Sequence, residues 1–196
     1  MRKLIVATGN TGKLKEMQEH LKDLHLDLEL TLKPESIEIE ETGETFSENA
    51  CLKASEVAKI TGEWAIADDS GLSVDALDGA PGIFSARYGK TDEERIERLL
   101  FELGNELNRA AEFVSVVAIA RPDGTIVYEA EGRCPGEILH KPRGKDGFGY
   151  DPIFYFPEKR LTFAEMKPAE KHQISHRARA FSNLIAQIQH NNLFES

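Results

Sequence analysis

Leu4-Ile5-Val6-Ala7-Thr8-Gly9-Asn10-Thr11-Gly12-Lys13 carries the reading of this chain. Four apolar residues, the signature of a short buried strand, run straight into a turn of small residues. Leu14, Met17, Leu21 and Leu24 then recur at helical spacing, which predicts an amphipathic helix over 12–24. A strand feeding a helix through a glycine turn opens an α/β fold. The same turn can hold phosphate. Glycines let the backbone come close, amide N–H groups point at the anion, and the helix N-terminus favours negative charge. Only two residues separate Gly9 from Gly12, and Leu14 follows Lys13. The turn is therefore not the Gly-x-x-x-x-Gly-Lys-Ser/Thr loop that places a hydroxyl on a metal. A tight connection with no ligand is the plain alternative.

Working outward, residues 26–30 alternate and predict a strand. Thr45-Phe46-Ser47-Glu48 fits a capping box for a helix reaching about Thr61. Residues 64–67 predict a short buried strand that ends in a turn at Ser70-Gly71. Residues 78–90, rich in Gly, Pro and Ala, predict an ordered loop. Thr91-Asp92-Glu93-Glu94 opens another helix, ending near Asn108. Strands over 112–121 and 125–133 flank Pro122-Asp123-Gly124, a hairpin signal. A glycine-containing loop over 141–149, a strand over 150–156 and a helix over 176–190 complete the chain. Strands alternating with helices, followed by a hairpin, predict a mixed sheet in an α/β protein. No linker divides the chain, so residues 1–196 read as one domain.

The net charge is −10, from 34 acidic against 24 basic residues. A broad nucleic-acid face needs clustered Lys and Arg, so nucleic acid is not an expected partner. A small phosphorylated substrate needs only a few cations in one pocket. Cys51 and Cys134 form no zinc or disulfide pattern, and Cys51 is expected to be a small buried hydrophobe. No apolar run is long enough to span a membrane, and the first is too short for a signal peptide. A cytoplasmic protein with no membrane partner is expected.

Four further segments carry chemistry. Asp68-Asp69-Ser70-Gly71 follows a buried strand. Both aspartates can face one site only if the chain turns there, and carboxylates at a strand end suit Mg²⁺ shared with phosphates. A turn whose aspartates cap backbone amides is the alternative. The acidic loop 38–44 offers Glu40 and Glu41 beside the Thr42-Gly43 bend, without choosing between them. In Gly144-Lys145-Asp146-Gly147-Phe148-Gly149-Tyr150-Asp151-Pro152, glycines free the backbone to bond a planar ligand while a ring stacks on it. A nucleobase is the natural guest, and backbone amides near Phe148, Gly149, Tyr150 and Asp151 are its expected donors. In Lys171-His172-Gln173-Ile174-Ser175-His176-Arg177, cations sit in a first helical turn, against the helix dipole, which suggests another use for them.

Taken together, these segments resemble the inosine triphosphate pyrophosphatase family. The matching residues are Thr8-Gly9-Asn10 with Lys13, Glu41-Thr42-Gly43, Ala67 to Leu72, Gly79-Ala80-Pro81-Gly82, Ser85-Ala86-Arg87-Tyr88, Phe148 to Pro152, and Ser175-His176-Arg177. They occur in order from residue 8 to 177. The resemblance implies a curved mixed sheet with helices forming two lobes around a nucleotide cleft, in a homodimer. It implies Mg²⁺-dependent hydrolysis of (d)ITP and XTP to the monophosphate and pyrophosphate. Carried over residue by residue, Thr8, Gly9, Asn10, Thr11, Gly12 and Lys13 would take phosphates. Glu40 and Asp69 would hold metal, and Asp69 would accept a proton. Ser70, Phe148, Gly149, Tyr150, Asp151, Lys171, His176 and Arg177 would contact the nucleotide. Lys53 is a further phosphate candidate on charge and position alone. The rival readings are a pyrophosphatase for modified pyrimidine nucleotides and a nucleotide-binding regulatory module without turnover.

Overall fold

The computed structural model describes residues 2–8, 11–22 and 28–191. Its strands are β1 (Arg2–Val6), β2 (Leu28–Leu32), β3 (Trp64–Val74), β4 (Ala110–Ala120), β5 (Ile126–Ile138), β6 (Phe154–Phe156) and β7 (Leu161–Thr162). Its α-helices are α1 (Thr11–Leu21), α2 (Phe46–Thr61), α3 (Asp92–Leu103), α4 (Pro168–Ile174) and α5 (His176–Asn191). The strands form one sheet in the order β2-β1-β3-β4-β5-β6-β7. β1 pairs in parallel with β2 and with β3, while β6 runs antiparallel to β5 and β7. The sheet is therefore mixed, as the alternation followed by a hairpin predicts.

The chain divides into two compact units. One holds the chain up to Asp69, residues 115–132 and the chain from Ala178 on; the other holds 70–114 and 133–177. In the first unit, period-two alternation sorts the strands onto two faces. Leu4, Val6, Ile66, Val117 and Ile119 pack with Met17 and Leu21 of α1 and Phe181, Leu184 and Ile188 of α5. Ile5, Ala65, Ala67, Val116, Ala118 and Ala120 pack with Ala50, Ala54, Val57 and Ala58 of α2. Alanines on both partners let α2 lie close to the sheet. In the second unit the core centres on Leu72, Val74, Leu99, Ile153, Phe154 and Phe163.

Several boundaries differ from the sequence expectations, each for a physical reason. Ser70-Gly71 forms no turn: β3 runs on to Val74. Leu72 and Val74 are fully buried and continue the alternation, and Ser85 Oγ accepts the Leu72 amide at 2.9 Å. Burial thus overrides the turn preference of two small residues. α3 stops at Leu103 because Gly104 closes it, its amide donating to Leu100 O. β5 continues past Arg133 because Cys134 and Ile138 are buried on alternate positions, with Pro135 exposed. The expected strand over 150–156 shrinks to β6, since Ile153 and Phe154 amides both fold back onto Tyr150 O. Residues 82–87 of the expected loop form a 3₁₀ turn, and α4 and β7 are elements the sequence did not announce. The end of the predicted first helix and the start of the second predicted strand lie outside the described residues.

Candidate active site

β1 leads through α1 to β2 on one side of it, and β2 leads through α2 to β3 on the other. α1 and α2 cover opposite sheet faces. The carboxyl end of β1, where it lies beside the middle of β3, is thus a point where the winding reverses, the place where open α/β sheets take ligands. The register pairs Val6 with Ile66, which carried two residues on brings Thr8 level with Asp68. Thr11, Gly12 and Lys13 open α1, so a strand is followed by a helix as expected. Gly9 and Asn10 lie outside the described residues.

Lys53 of α2 reaches this point. Its Nζ donates to Asp69 Oδ1 at 3.1 Å and to Glu41 Oε1 at 2.8 Å. Only 12% of the Lys53 side chain and 13% of Asp69 is exposed, so screening by solvent is weak. Burial pushes the Asp69 carboxyl above its ordinary range, against the pull of Lys53, with Glu41 and Asp68 adding to the rise. Burial alone would lower the Lys53 ammonium, but Asp69, Glu41 and Asp68 outweigh it and hold it above its usual value. Two carboxylates thus bond one ammonium, and Asp68 adds its charge at longer range. The structure brings Glu41 to Lys53 and Asp69, while Glu40 is exposed.

Gly43 explains how the acidic loop is held. Its amide donates to Asn49 Oδ1 at 2.8 Å, and Asn49 is fully buried in α2. A Cβ on Gly43 would lie 2.7 Å from that same oxygen, so only glycine permits the approach. Thr45 caps α2 by accepting the Glu48 amide. Glu48 takes the Glu44 amide, not the Thr45 amide that a full capping box requires.

Asp69 Oδ2 is buried with no hydrogen-bond partner among the described residues. Buried carboxylate oxygens are otherwise satisfied, so this one is suited to a further cation or an acid proton. Among the described residues no three His, Cys, Asp or Glu side chains converge as a metal cage. One or two carboxylates completed by water and substrate phosphates is the arrangement Mg²⁺ favours. The donor set around Asp69 fits that ion. Because β3 is extended through 68–69, the two aspartates point to opposite faces, and the expected turn that would aim both at one site is absent.

In the second unit, Ser70 Oγ accepts from Arg177 Nη2 at 3.1 Å. The Arg177 guanidinium carbon lies 5.7 Å from the Phe148 ring centroid, and Lys171 Nζ lies 4.8 Å from it. The Phe148 ring is 56% exposed, so it offers a free face. His176 is buried and stacked on Phe113, with centroids 4.8 Å apart. Ser70, Phe148, Lys171 and Arg177 are thus brought together.

The loop's amides, however, are engaged within the protein. Phe148 N–H donates to Asp151 Oδ2 at 2.9 Å, Gly149 N–H to Asp92 Oδ2 at 2.7 Å, and Asp151 N–H to Phe148 O. They are not the free base donors that the sequence suggests. Tyr150 is buried, and its hydroxyl donates to Ser85 O at 2.9 Å, so its side chain is an internal strut. Asp151 is also buried and accepts from Lys171 Nζ. Its carboxylate occupies the space beside Gly147, where an added Cβ would lie 2.1 Å from Oδ2. Sequence reasoning missed Asp92 and Ser85 as parts of this frame; a helix-opening Asp and a serine in a glycine-rich loop carry no signal of distant partners.

A family model matches residues 4–187 of the chain. The chain belongs to the Ham1 family. It is 68% identical over 185 residues to a protein of Nostoc sp. named dITP/XTP pyrophosphatase, covering 94% of this chain and 93% of that one. A Synechocystis sp. protein with the same name is 62% identical, with 94% of each chain covered. The solved structure of a Ham1 protein from Coxiella burnetii superposes with a TM-score of 0.91 at 45% identity, covering 97% of this chain and all of that one. The Ham1 match thus takes in all five chemical segments. Among the described residues no helix is long and apolar enough to cross a membrane.

Proposed function

We propose that this Ham1-family chain hydrolyses non-standard purine nucleoside triphosphates, dITP/ITP and XTP/dXTP, to the monophosphate and pyrophosphate. The observation that carries the reading is the Lys53–Glu41–Asp69 cluster in the middle of β3, next to the carboxyl end of β1. Relatives named dITP/XTP pyrophosphatase support the substrate class.

Thr8 to Lys13 receive the phosphates through backbone amides and the α1 N-terminus. Asp69, whose buried Oδ2 has no hydrogen-bond partner among the described residues, would hold the cation with Glu40 or Glu41 from the acidic loop. Mg²⁺ held by these residues would supply charge neutralisation for the triphosphate and activation of water. Lys53 has three N–H donors, two of them on Glu41 and Asp69, which leaves one for a phosphate oxygen. Asp69 orients a water for in-line attack at phosphorus. A carboxylate that holds a metal is a weak base, so orientation is its main task, with proton acceptance aided by the burial that raises its pKa. Phe148 stacks on the base, while Ser70, Lys171, His176 and Arg177 supply polar contacts to it. Hypoxanthine and xanthine present a 6-oxo acceptor to these donors; adenine presents an amino group and leaves them unpaired.

A pyrophosphatase for modified pyrimidines would share the metal cluster, and a regulatory binding module would not need it. Assaying ITP, XTP, ATP, GTP and a modified pyrimidine triphosphate with Mg²⁺, with both products identified, separates the three. Preferred turnover of ITP and XTP supports the proposal; a pyrimidine preference, or binding without turnover, overturns it. We place the protein in the cytoplasm as a homodimer, with no nucleic-acid partner, on the resemblance and its net charge of −10. Light scattering at working concentration tests the dimer.

A further inference from the structure

We propose that Asp92, the first residue of α3, is a positioning residue for the Phe148 loop and so sets base selection, an inference that rests on the nucleotide reading above. An acidic residue in a first helical turn ordinarily serves the helix dipole. Here the helix has another cap: Thr91 Oγ1 accepts the Glu94 amide at 3.2 Å. The Asp92 carboxylate is directed elsewhere. Its Oδ1 takes Arg95 Nη1 at 2.7 Å, and its Oδ2 takes the Gly149 amide, 57 residues away, at 2.7 Å.

That amide is the second of a consecutive pair. The first, Phe148 N–H, is taken by Asp151 Oδ2. Two carboxylates from different elements therefore pin both peptide units that flank the Phe148 α-carbon. Gly149 has φ of +60°, with open space where a Cβ would stand, so nothing but hydrogen bonding fixes it there. Charge-assisted bonds are the strong kind and set direction as well as energy. Without Asp92, the peptide between Phe148 and Gly149 keeps only the bond that Asp151 N–H makes to Phe148 O, at 3.2 Å, and is held more loosely. The half-exposed Phe148 ring then loses its fixed relation to Lys171 and Arg177. A stacking face that wanders binds purines more weakly and reads their edges less well. Asp92 has no part in the Lys53–Asp69 cluster, so the chemical step is untouched.

The test compares Asp92→Ala and Asp92→Asn with Thr91→Ala, which removes the α3 cap alone. Two readouts are taken: Gly149 amide hydrogen exchange in the nucleotide-free protein, and kcat and KM for ITP and ATP. Asp92→Ala should speed Gly149 exchange and raise KM for ITP about tenfold, the loss expected of one charge-assisted bond. Its kcat should stay within about twofold, and the ITP-to-ATP preference should narrow. Asp92→Asn keeps an acceptor oxygen and should recover most of the exchange protection and of KM. Thr91→Ala should lower Tm with exchange at Gly149 and KM unchanged. Unchanged Gly149 exchange in Asp92→Ala overturns the proposal. So does a KM rise that Thr91→Ala reproduces, or a fall in kcat shared by ITP and ATP. If the wild-type chain shows no preference for ITP, the nucleotide reading falls, while the exchange result still decides whether Asp92 holds the loop.

Discussion

Replacing Lys53 with methionine tests the cluster on which the chemistry depends. Methionine keeps the length of the stem and removes the charge. In the native protein the ammonium bonds Glu41 and Asp69 and feels the charge of Asp68 at longer range. Its removal takes the bonded counter-charge from Asp69 and Glu41. Breaking a fully buried ion pair costs about 3–5 kcal/mol. Asp69 is close to that limit, but Glu41 is 30% exposed and can turn to water, so about 2–3 kcal/mol is expected here. For a chain of this length each kcal/mol moves Tm by about 2–4 °C, which gives a fall of about 4–12 °C in metal-free buffer. Added Mg²⁺ should restore much of that loss in the variant, because carboxylates freed from Lys53 are open to another cation. The same Mg²⁺ should raise the wild-type Tm less. Thermal unfolding with EDTA and with Mg²⁺ reads both effects. An unchanged Tm in EDTA, or equal Mg²⁺ increments for the two proteins, would refute the reasoning.

Asp69→Asn should stay folded, since an amide oxygen still meets Lys53, and should lose at least ~100-fold in kcat; a folded variant with near-native turnover removes Asp69 from the mechanism. Burial, with Glu129 beside it, pushes the Cys51 thiol from 9.0 to about 11, so iodoacetamide at pH ~8 should label it about 100-fold more slowly than an unstructured cysteine. Glu129→Gln should speed that labelling, and an unchanged rate would leave Glu129 without the role assigned to it. Arg143 and the Thr162 amide draw Glu165 down to about 2, so its contribution to stability is complete above the unfolded value of about 4.5 and is lost as pH falls towards 2. The Tm advantage of wild type over Glu165→Gln should therefore shrink between pH ~5 and ~2.5; a constant difference contradicts the pairing.

The parts of the fold legible in the sequence are those fixed by local pattern. The succession of β1 and α1, the Thr45 and Thr91 caps and the hairpin about Gly124 all follow from periodicity and capping chemistry. What escaped depends on partners far along the chain. Ser70-Gly71 reads as a turn until Leu72 and Val74 are seen to be buried. β5 outlasts its apparent end because Cys134 and Ile138 find a core that local sequence does not describe. Cys51, expected as a buried hydrophobe, is half-buried against Glu129, 78 residues away. Among candidate site residues, Asp69 and Lys53 were legible as charges, but their meeting, and the choice of Glu41 as partner, is set by the Gly43–Asn49 contact. The Phe148 loop was legible as a ring between glycines. Its amides looked free because Asp92 is 57 residues away from Gly149 along the chain.

Turnover of ITP in ¹⁸O-labelled water, with Mg²⁺ and with both products analysed by mass, puts the proposed chemistry to its hardest test. Water oriented at Asp69 for attack on the α-phosphorus places the heavy oxygen in inosine monophosphate and leaves pyrophosphate unlabelled. Label in pyrophosphate would move the attack to the β-phosphorus, and inosine diphosphate with inorganic phosphate would contradict pyrophosphohydrolysis altogether.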